Sequence, residues 1–298
     1  MKHKTTLLII SLLTLQYLTA CSLSIGNFSE NINRAVKANN DPQTVMQGLP
    51  TYLILLDGII ESDPLDEDVL IASSRLINAY TGLLGSELEM LGEDENEYQR
   101  EKIKQQIKKL SLKALERALK ANCLYEEYLC DLNTIKYAEF KIRLKNIDED
   151  DIAMLYSLGT AWATWLQANS SDWNAMAQLP QVKLIMETVN GINENWDNAG
   201  AHMYLGVLNS LLPTNLGGKP EQGKKNFESA IKLTQGKNLM AKVLYAEYYA
   251  RLTFNEDLHQ RLISDVLSYK EQHHEFVLLN TLAIQKAKAL QLSAEEYF

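Results

Sequence analysis

Three cysteines and five histidines are the residues of this 298-residue chain best equipped for covalent or metal chemistry. Cys21 follows Leu18-Thr19-Ala20, small residues just before a thiol. A thiol at such a cleavage point is an acylation site, and two or three acyl chains hold a soluble body firmly, at about 0.8 kcal/mol per buried methylene. Cys123 and Cys130 lie in KANCLYEEYLCD. On one continuous helix they would stand about 10 Å apart, too far to join, so a disulfide requires a turn between them. The spacing alone leaves both arrangements open. Neither thiol has a histidine nearby, so neither a zinc site nor a thiol enzyme is expected. His3 falls in the N-terminal segment, His259 on a polar helix expected to be exposed, and His273-His274 in an expected loop. His202 faces either a cavity or a hydrogen-bonded core position. There is no HExxH, no GxSxG and no phosphate loop. The acid pairs Glu126-Glu127 and Glu295-Glu296 sit among polar residues, where nothing would separate their pKa values. Neither an enzyme, a metal nor a cofactor is expected.

The segment that would present Cys21 begins with Lys2 and Lys4 and continues as an apolar run from Leu7 to Leu18. That order is the grammar of a bacterial secretion signal. The run is shorter than the roughly 20 residues a bilayer requires, and Ser11, Thr14 and Gln16 interrupt it. Residues 1–20 are therefore read as a lipoprotein signal peptide, 21–27 as a lipidated tether and 28–298 as one helical-repeat domain. Ser22, where an aspartate would favour the inner membrane, points to the outer membrane with the body facing the periplasm. The chain has a formal charge of −9, and loss of Lys2 and Lys4 takes the body to −11. A nucleic-acid role is not expected, because phosphate binding needs a basic footprint and the overall balance is acidic. An acidic body should also be repelled by anionic lipid, so the lipid on Cys21 would be the whole of its membrane attachment.

The body reads as helix after helix. A short helix is expected over 28 to 38. Asp41-Pro42 caps a longer one, with apolar residues on nearly every face, as suits a helix packed on both sides. Pro50 should bend or split it. After Ser62-Asp63-Pro64 a second helix over 65 to 85 completes an antiparallel hairpin. Gly92 to Glu95 reads as a loop tip. From Glu97 a helix carries the stripe Ile103, Ile107, Leu110, Ala114, Ala118, with its lysines and glutamates on a solvated face. A buried helix with Trp162 and Trp165 follows Asp151, and two helical pieces are divided by Pro180. No alternating β-branched run between hairpin turns occurs.

A repeated unit is clearest from Asn198. Leu205-Gly206 on one helix and Gly223, Phe227 and Ala230 on the next match the small–aromatic–small offsets of tetratricopeptide hairpins. Small residues let the backbones approach, and the ring fills the gap to the following hairpin. The fold class read from these patterns is all-α, antiparallel helical hairpins stacked as a tetratricopeptide-like superhelix. Trp162, Trp165, His202, Tyr204, Tyr245, Tyr248 and Tyr249 fall on the inner helices and are candidates to line a groove or channel, by area at about 25 cal/mol per Å². Tyr248 and Tyr249 are adjacent on a helix and cannot point the same way. The turn Leu216, Gly217, Gly218, Lys219, Pro220 is the candidate docking element.

The stretch HMYLGVLNSLLPTNLGGKPEQGKKNFESAIKLTQGKNLMAKVLYAEYYARL resembles the TatT-like family, the T component of tripartite ATP-independent periplasmic (TRAP) transporters. DPQTVMQGLPTYLILLDGIIESDP, the Trp162 helix and LPQVKLIMETV fit the same family in order, and the likeness is weakest from about 86 to 146. The resemblance implies a lipid-anchored, non-catalytic body beside a periplasmic solute-binding protein, a homo-oligomer such as a trimer, and the holding or handing over of an organic solute, hydrophobic ones included. The alternative reading is a periplasmic scaffold for envelope protein assembly.

Overall fold

Asp41 stands before the first long helix and accepts a hydrogen bond from the Gln43 amide at 3.0 Å, while Pro42 supplies the fixed φ of a first helical turn. Helix α1 then runs Pro42–Ser62. In this computed structural model, residues 31–91 and 97–298 are described. The segment 1–20, Cys21 and the tether 21–27, the start of the expected helix at 28–30 and the loop tip at Gly92 to Glu95 lie outside them. Residues 31–37 are helical.

α1 does not split at Pro50. An interior proline costs about 3 kcal/mol. Val45, Leu49, Leu53 and Leu56, all buried on one face, each contribute about 1.5–3 kcal/mol and hold the helix through it. Nor is α1 packed on both sides. Ile54 is 71% and Leu55 50% exposed, because the neighbours of α1 meet the Val45–Leu56 stripe and its flank at Asp57. The main neighbour is α2, Glu67–Met90, capped by Asp66 through the Val69 amide at 2.9 Å. α3, Glu97–Tyr125, packs antiparallel to α2 along Ala114, Ala118 and Ala121, close enough for Ser74 Oγ to donate to the Ala114 carbonyl at 2.8 Å. α4 (Tyr137–Arg143), α5 (Ile152–Ala168), α6 (Trp173–Met176) and α7 (Leu179–Ile192) complete the first body. Pro180 lies in the first turn of α7.

α8 spans Trp196–Asn209 and α9 Pro220–Leu233. A Cβ on Gly206 would lie 2.6 Å from the Phe227 ring, so this hairpin closes only because that position carries no side chain. Phe227 is fully buried and stacks on Tyr245 of the next helix at 5.4 Å. That helix is α10, Leu239–Leu244, which widens into a π-helix over Tyr245–Ala250. α11 (Glu256–Leu267), α12 (Val277–Leu292) and α13 (Ala294–Tyr297) follow. No strand occurs among the described residues. The arrangement is all-helical, of stacked antiparallel hairpins.

The apolar interior is divided. One core gathers side chains from α1 to α8 with Leu278 of α12, and a second gathers Phe227 with residues of α10, its π extension, α11 and the rest of α12. His259 belongs to the second and is 1% exposed, against the expectation of an exposed ring. The reason is periodicity: 259 falls on the same face as Leu258, Leu262, Ile263 and Val266. Its ring meets Phe298 edge-on at 5.2 Å, and burial, with Arg251 nearby, lowers its pKa.

Candidate functional site

One face of α2 carries Arg75, Asn78, Ala79, Gly82, Gly85, Ser86 and Glu89 at helical spacing. The opposite face carries Leu76, Ile77, Leu83 and Leu84 into the core. The small residues in the middle of the first face leave space that no neighbour fills. Above them lies a cavity of about 1140 Å³, walled by α5, the start of α8, the α10–π segment and α12, with Lys104, Ile107 and Lys108 of α3 and Asn33 and Lys37 at its edges. Tyr156, Trp196, Tyr204 and Tyr248 contribute rings, and Met240, Leu244 and Leu279 contribute aliphatic surface. The cavity is therefore formed between the two cores. Its charged ends, marked by Arg75 and Glu89, are about 21 Å apart along α2.

At the Arg75 end the guanidinium donates through Nε to Ser157 Oγ at 2.6 Å and through Nη2 to the Ala153 carbonyl at 2.9 Å. Burial lowers its pKa, opposed by Asp197 and Asp68. Asp197 pairs with Lys37 at 3.2 Å. The regular part of α8 begins only after Asp197, Asn198 and Ala199, which have φ of 44°, 58° and 61°. Three consecutive left-handed residues other than glycine store strain, of order 1–3 kcal/mol each. Gly200 follows them, where a Cβ would meet the Tyr156 hydroxyl at 2.0 Å. This turn brings Asp197 to the cavity mouth. Burial, then Asp197, pushes the Tyr204 phenol up to about 12 and Tyr156 well above its ordinary value.

At the other end Lys286 of α12 lies 2.9 Å from Glu89 and 2.9 Å from Glu247. Two carboxylates share one ammonium. Burial alone would depress Lys286, but Glu247 and Glu89 outweigh it and raise its pKa. Burial raises Glu247 despite Lys286. Tyr248 beside it is pushed up to about 12, by burial first and then by Glu247. The π-helical turn sets this geometry. It directs Glu247 and Tyr248 to the cavity, while Tyr245 and Tyr249 turn into the second core.

The candidate aromatics thus separate. Tyr204 and Tyr248 line the cavity; the other five candidates do not. Trp162 is fully buried, edge-on to Phe140 at 6.1 Å, with Nε1 donating to Gln178 Oε1 at 2.9 Å. Trp165 packs half-buried against the first core. His202 is buried with Nδ1 3.1 Å from Asn226 Oδ1. Tyr245 and Tyr249 donate to Glu228 and Glu221 at 3.3 and 2.8 Å. Sequence reasoning missed Arg75, Glu89, Trp196, Asp197, Glu247 and Lys286. The signal available was the small-residue face of α2 with an arginine at one end and a glutamate at the other.

The turn at Leu216 to Pro220 is away from the cavity. Leu216 is exposed, Gly217 is left-handed with φ 88°, and a Cβ on Gly218 would overlap the Leu212 carbonyl oxygen at 1.6 Å. The Lys219 amide donates to the Asn209 carbonyl at 2.9 Å, and Pro220 is buried at the start of α9. Cys123 and Cys130 are joined by a disulfide, with Cα atoms 4.2 Å apart. α3 ends at Tyr125, and a 3-10 turn over Glu127–Leu129 returns the second thiol to the first.

Among the described residues no cluster of three or more histidines, cysteines or acids could hold a metal ion. No described helix is long and apolar enough to cross a membrane. Comparison with curated proteins finds no match. The family model for the TRAP transporter T-component matches residues 38–298, which takes in the walls of the cavity other than Asn33 and Lys37. On that match the chain belongs to the TAtT family, the T-component of TRAP transporters, a non-catalytic transport accessory.

Proposed function

We propose that the chain is a lipid-anchored accessory that holds an organic solute in the cavity between its two cores and hands it to a docked solute-binding protein. Residues 1–20 direct export, Cys21 carries the lipid, 21–27 tether the body, and 28–298 form one binding domain on the periplasmic face of the outer membrane. The mechanism is binding and release, with no covalent step. The observation that carries this reading is the cavity itself. About 1140 Å³ suffices for a sizeable organic molecule. Its rings and aliphatic side chains would bind apolar surface, and the Arg75 and Glu89 ends would orient polar groups. The turn at Leu216 to Pro220, with exposed Leu211, Leu212 and Leu216 around it, is the docking element in this reading.

Co-purification from detergent-solubilised membranes, with mass spectrometry of the released small molecules and proteins, tests the proposal. The expected result is a solute-binding protein together with an organic compound, the compound lost in Tyr248→Ala. Recovery of envelope-assembly proteins with an empty cavity would overturn it in favour of a scaffold.

A further inference from the structure

We infer that the outer ridge of α3 is a docking surface for an anionic lipid bilayer. α3 carries eight basic and three acidic side chains, a net +5 on a single helix of a chain whose net charge is −9. The surplus is concentrated. Lys102, Lys109, Lys113 and Lys120 are spaced by seven, four and seven residues, so they fall on one line down the helix, about 27 Å long. That line is on the solvent side of the helix, turned away from the buried stripe of Ile103, Ala114, Ala118 and Ala121, with exposed Gln105, Leu112 and Glu116 beside it.

Lys102, Lys109 and Lys120 are exposed and form no ion pair among the described residues, whereas Lys113 pairs with Asp57 at 2.6 Å. Asp57 also takes Arg117 and is spent on these two. The acids left near the line are Glu116, on its flank, and Glu61, one turn beyond Asp57 on α1; both are exposed.

The ridge fits a plane better than a protein groove. A convex helix touches a flat anionic surface along such a line, and each lysine near it adds to the attraction. Protein interfaces are instead depleted in lysine and anchored by arginine and buried aromatics. Here the charges on the line are all lysines, and the aromatic side chain beside it is Tyr98, 85% exposed at the N-terminal end of α3, of a type enriched at bilayer interfaces. The acidic net charge of the chain therefore does not dictate repulsion from anionic lipid. It dictates orientation: α3 toward the bilayer and the acidic remainder away. This inference does not depend on the cavity or on acylation.

The test is an amine-labelling footprint of the purified full chain with phosphatidylcholine vesicles, with and without phosphatidylglycerol. Labelling of Lys102, Lys109 and Lys120 should fall on the anionic vesicles only and recover in high salt. The triple variant Lys102→Gln, Lys109→Gln, Lys120→Gln should melt as the wild type does. It should partition onto anionic vesicles about a hundredfold more weakly, with binding to neutral vesicles unchanged. Equal labelling on both vesicle types would overturn the inference. So would protection of these lysines by an acidic protein and not by vesicles. The wild-type footprint decides the matter even if the triple variant folds poorly.

Discussion

Lys286 and Glu89 lie 2.9 Å apart, although 197 residues separate them in the chain. The pair ties α12 of the second core to α2 of the first across the cavity, and Glu247 on the π-helix completes it. Lys286 is 17% exposed and Glu89 54%, so the arrangement is neither a surface pair nor a fully buried one.

Lys286→Met should therefore cost about 1–3 kcal/mol, between the values for exposed and buried pairs. Most of the loss comes from leaving Glu247, the more buried acid, without a counter-ion. Adding Glu247→Gln to Lys286→Met should recover part of it. Chemical denaturation of the two variants checks this; equal stability of single and double variants would contradict it.

The pH dependence follows from the directions of the shifts. Lys286 has a folded pKa above its ordinary 10.5. Its contribution is complete below 10.5 and lost as pH rises through the raised value. Glu247 has a folded pKa above 4.5, so ionising it opposes folding, and that penalty is relieved as pH falls toward 4.5. Wild-type melting temperature should decline more steeply than that of Lys286→Met at alkaline pH, and Glu247→Gln should lose the relief on the acid side. Tyr204, shifted by burial and Asp197 alone, titrates alike in the proteins compared and cancels. Tyr248, raised by burial and Glu247 and lowered by Lys286, moves further up in Lys286→Met and takes back part of the alkaline difference.

Adjacent tyrosines should behave oppositely. Tyr249→Ala removes a buried ring from the second core and should cost about 3–5 kcal/mol, as for other large aromatic deletions. Tyr248→Ala removes a half-buried ring that lines the cavity and only flanks the second core, and should cost less, about 1–2 kcal/mol, while weakening solute binding. Thermal melts with titration of an extracted solute separate the two.

The two turn glycines differ in kind. Gly217 needs only a left-handed backbone, so Gly217→Ala should cost about 1 kcal/mol. Gly218→Ala would force a Cβ into the Leu212 carbonyl and should cost more, loosening the α8–α9 hairpin. If the turn docks the solute-binding protein, affinity by calorimetric titration falls more in Gly218→Ala than helicity does.

Cys21→Ser removes the thiol that would receive lipid. Palmitate incorporation should vanish, and the body should sediment with membranes only through the salt-sensitive α3 contact. Undiminished label would remove the lipoprotein reading.

Much of the helical order was legible because it rests on local rules. Asp41-Pro42 announces α1, and Gly206, Gly223 and Phe227 announce the α8–α9 packing through size alone. What was not legible depends on partners distant in the chain. Pro50 signals a break, and only the tertiary burial of Val45 to Leu56 overrides it. The left-handed turn at Asp197 to Ala199 runs into Ala199, the strongest of helix formers, so the pattern reads through it. The π-helix at Tyr245–Ala250 leaves no mark in the apolar pattern, yet it decides which tyrosine meets the cavity. The cavity came from small residues on α2, which read equally well as a close helix contact until the facing elements are known.

The division of the interior into two cores bears on how proteins of this build diversify. A ligand chamber hollowed from a single core subtracts packing from the fold that holds it, so each change of ligand risks the fold. Here the chamber occupies the seam, and Gly82, Ser86, Thr160 and Thr164 along it belong to neither packed interior. Replacements at such positions reshape the chamber without emptying a core, so the solute of the proposed function could be changed at the seam while both bodies stay intact.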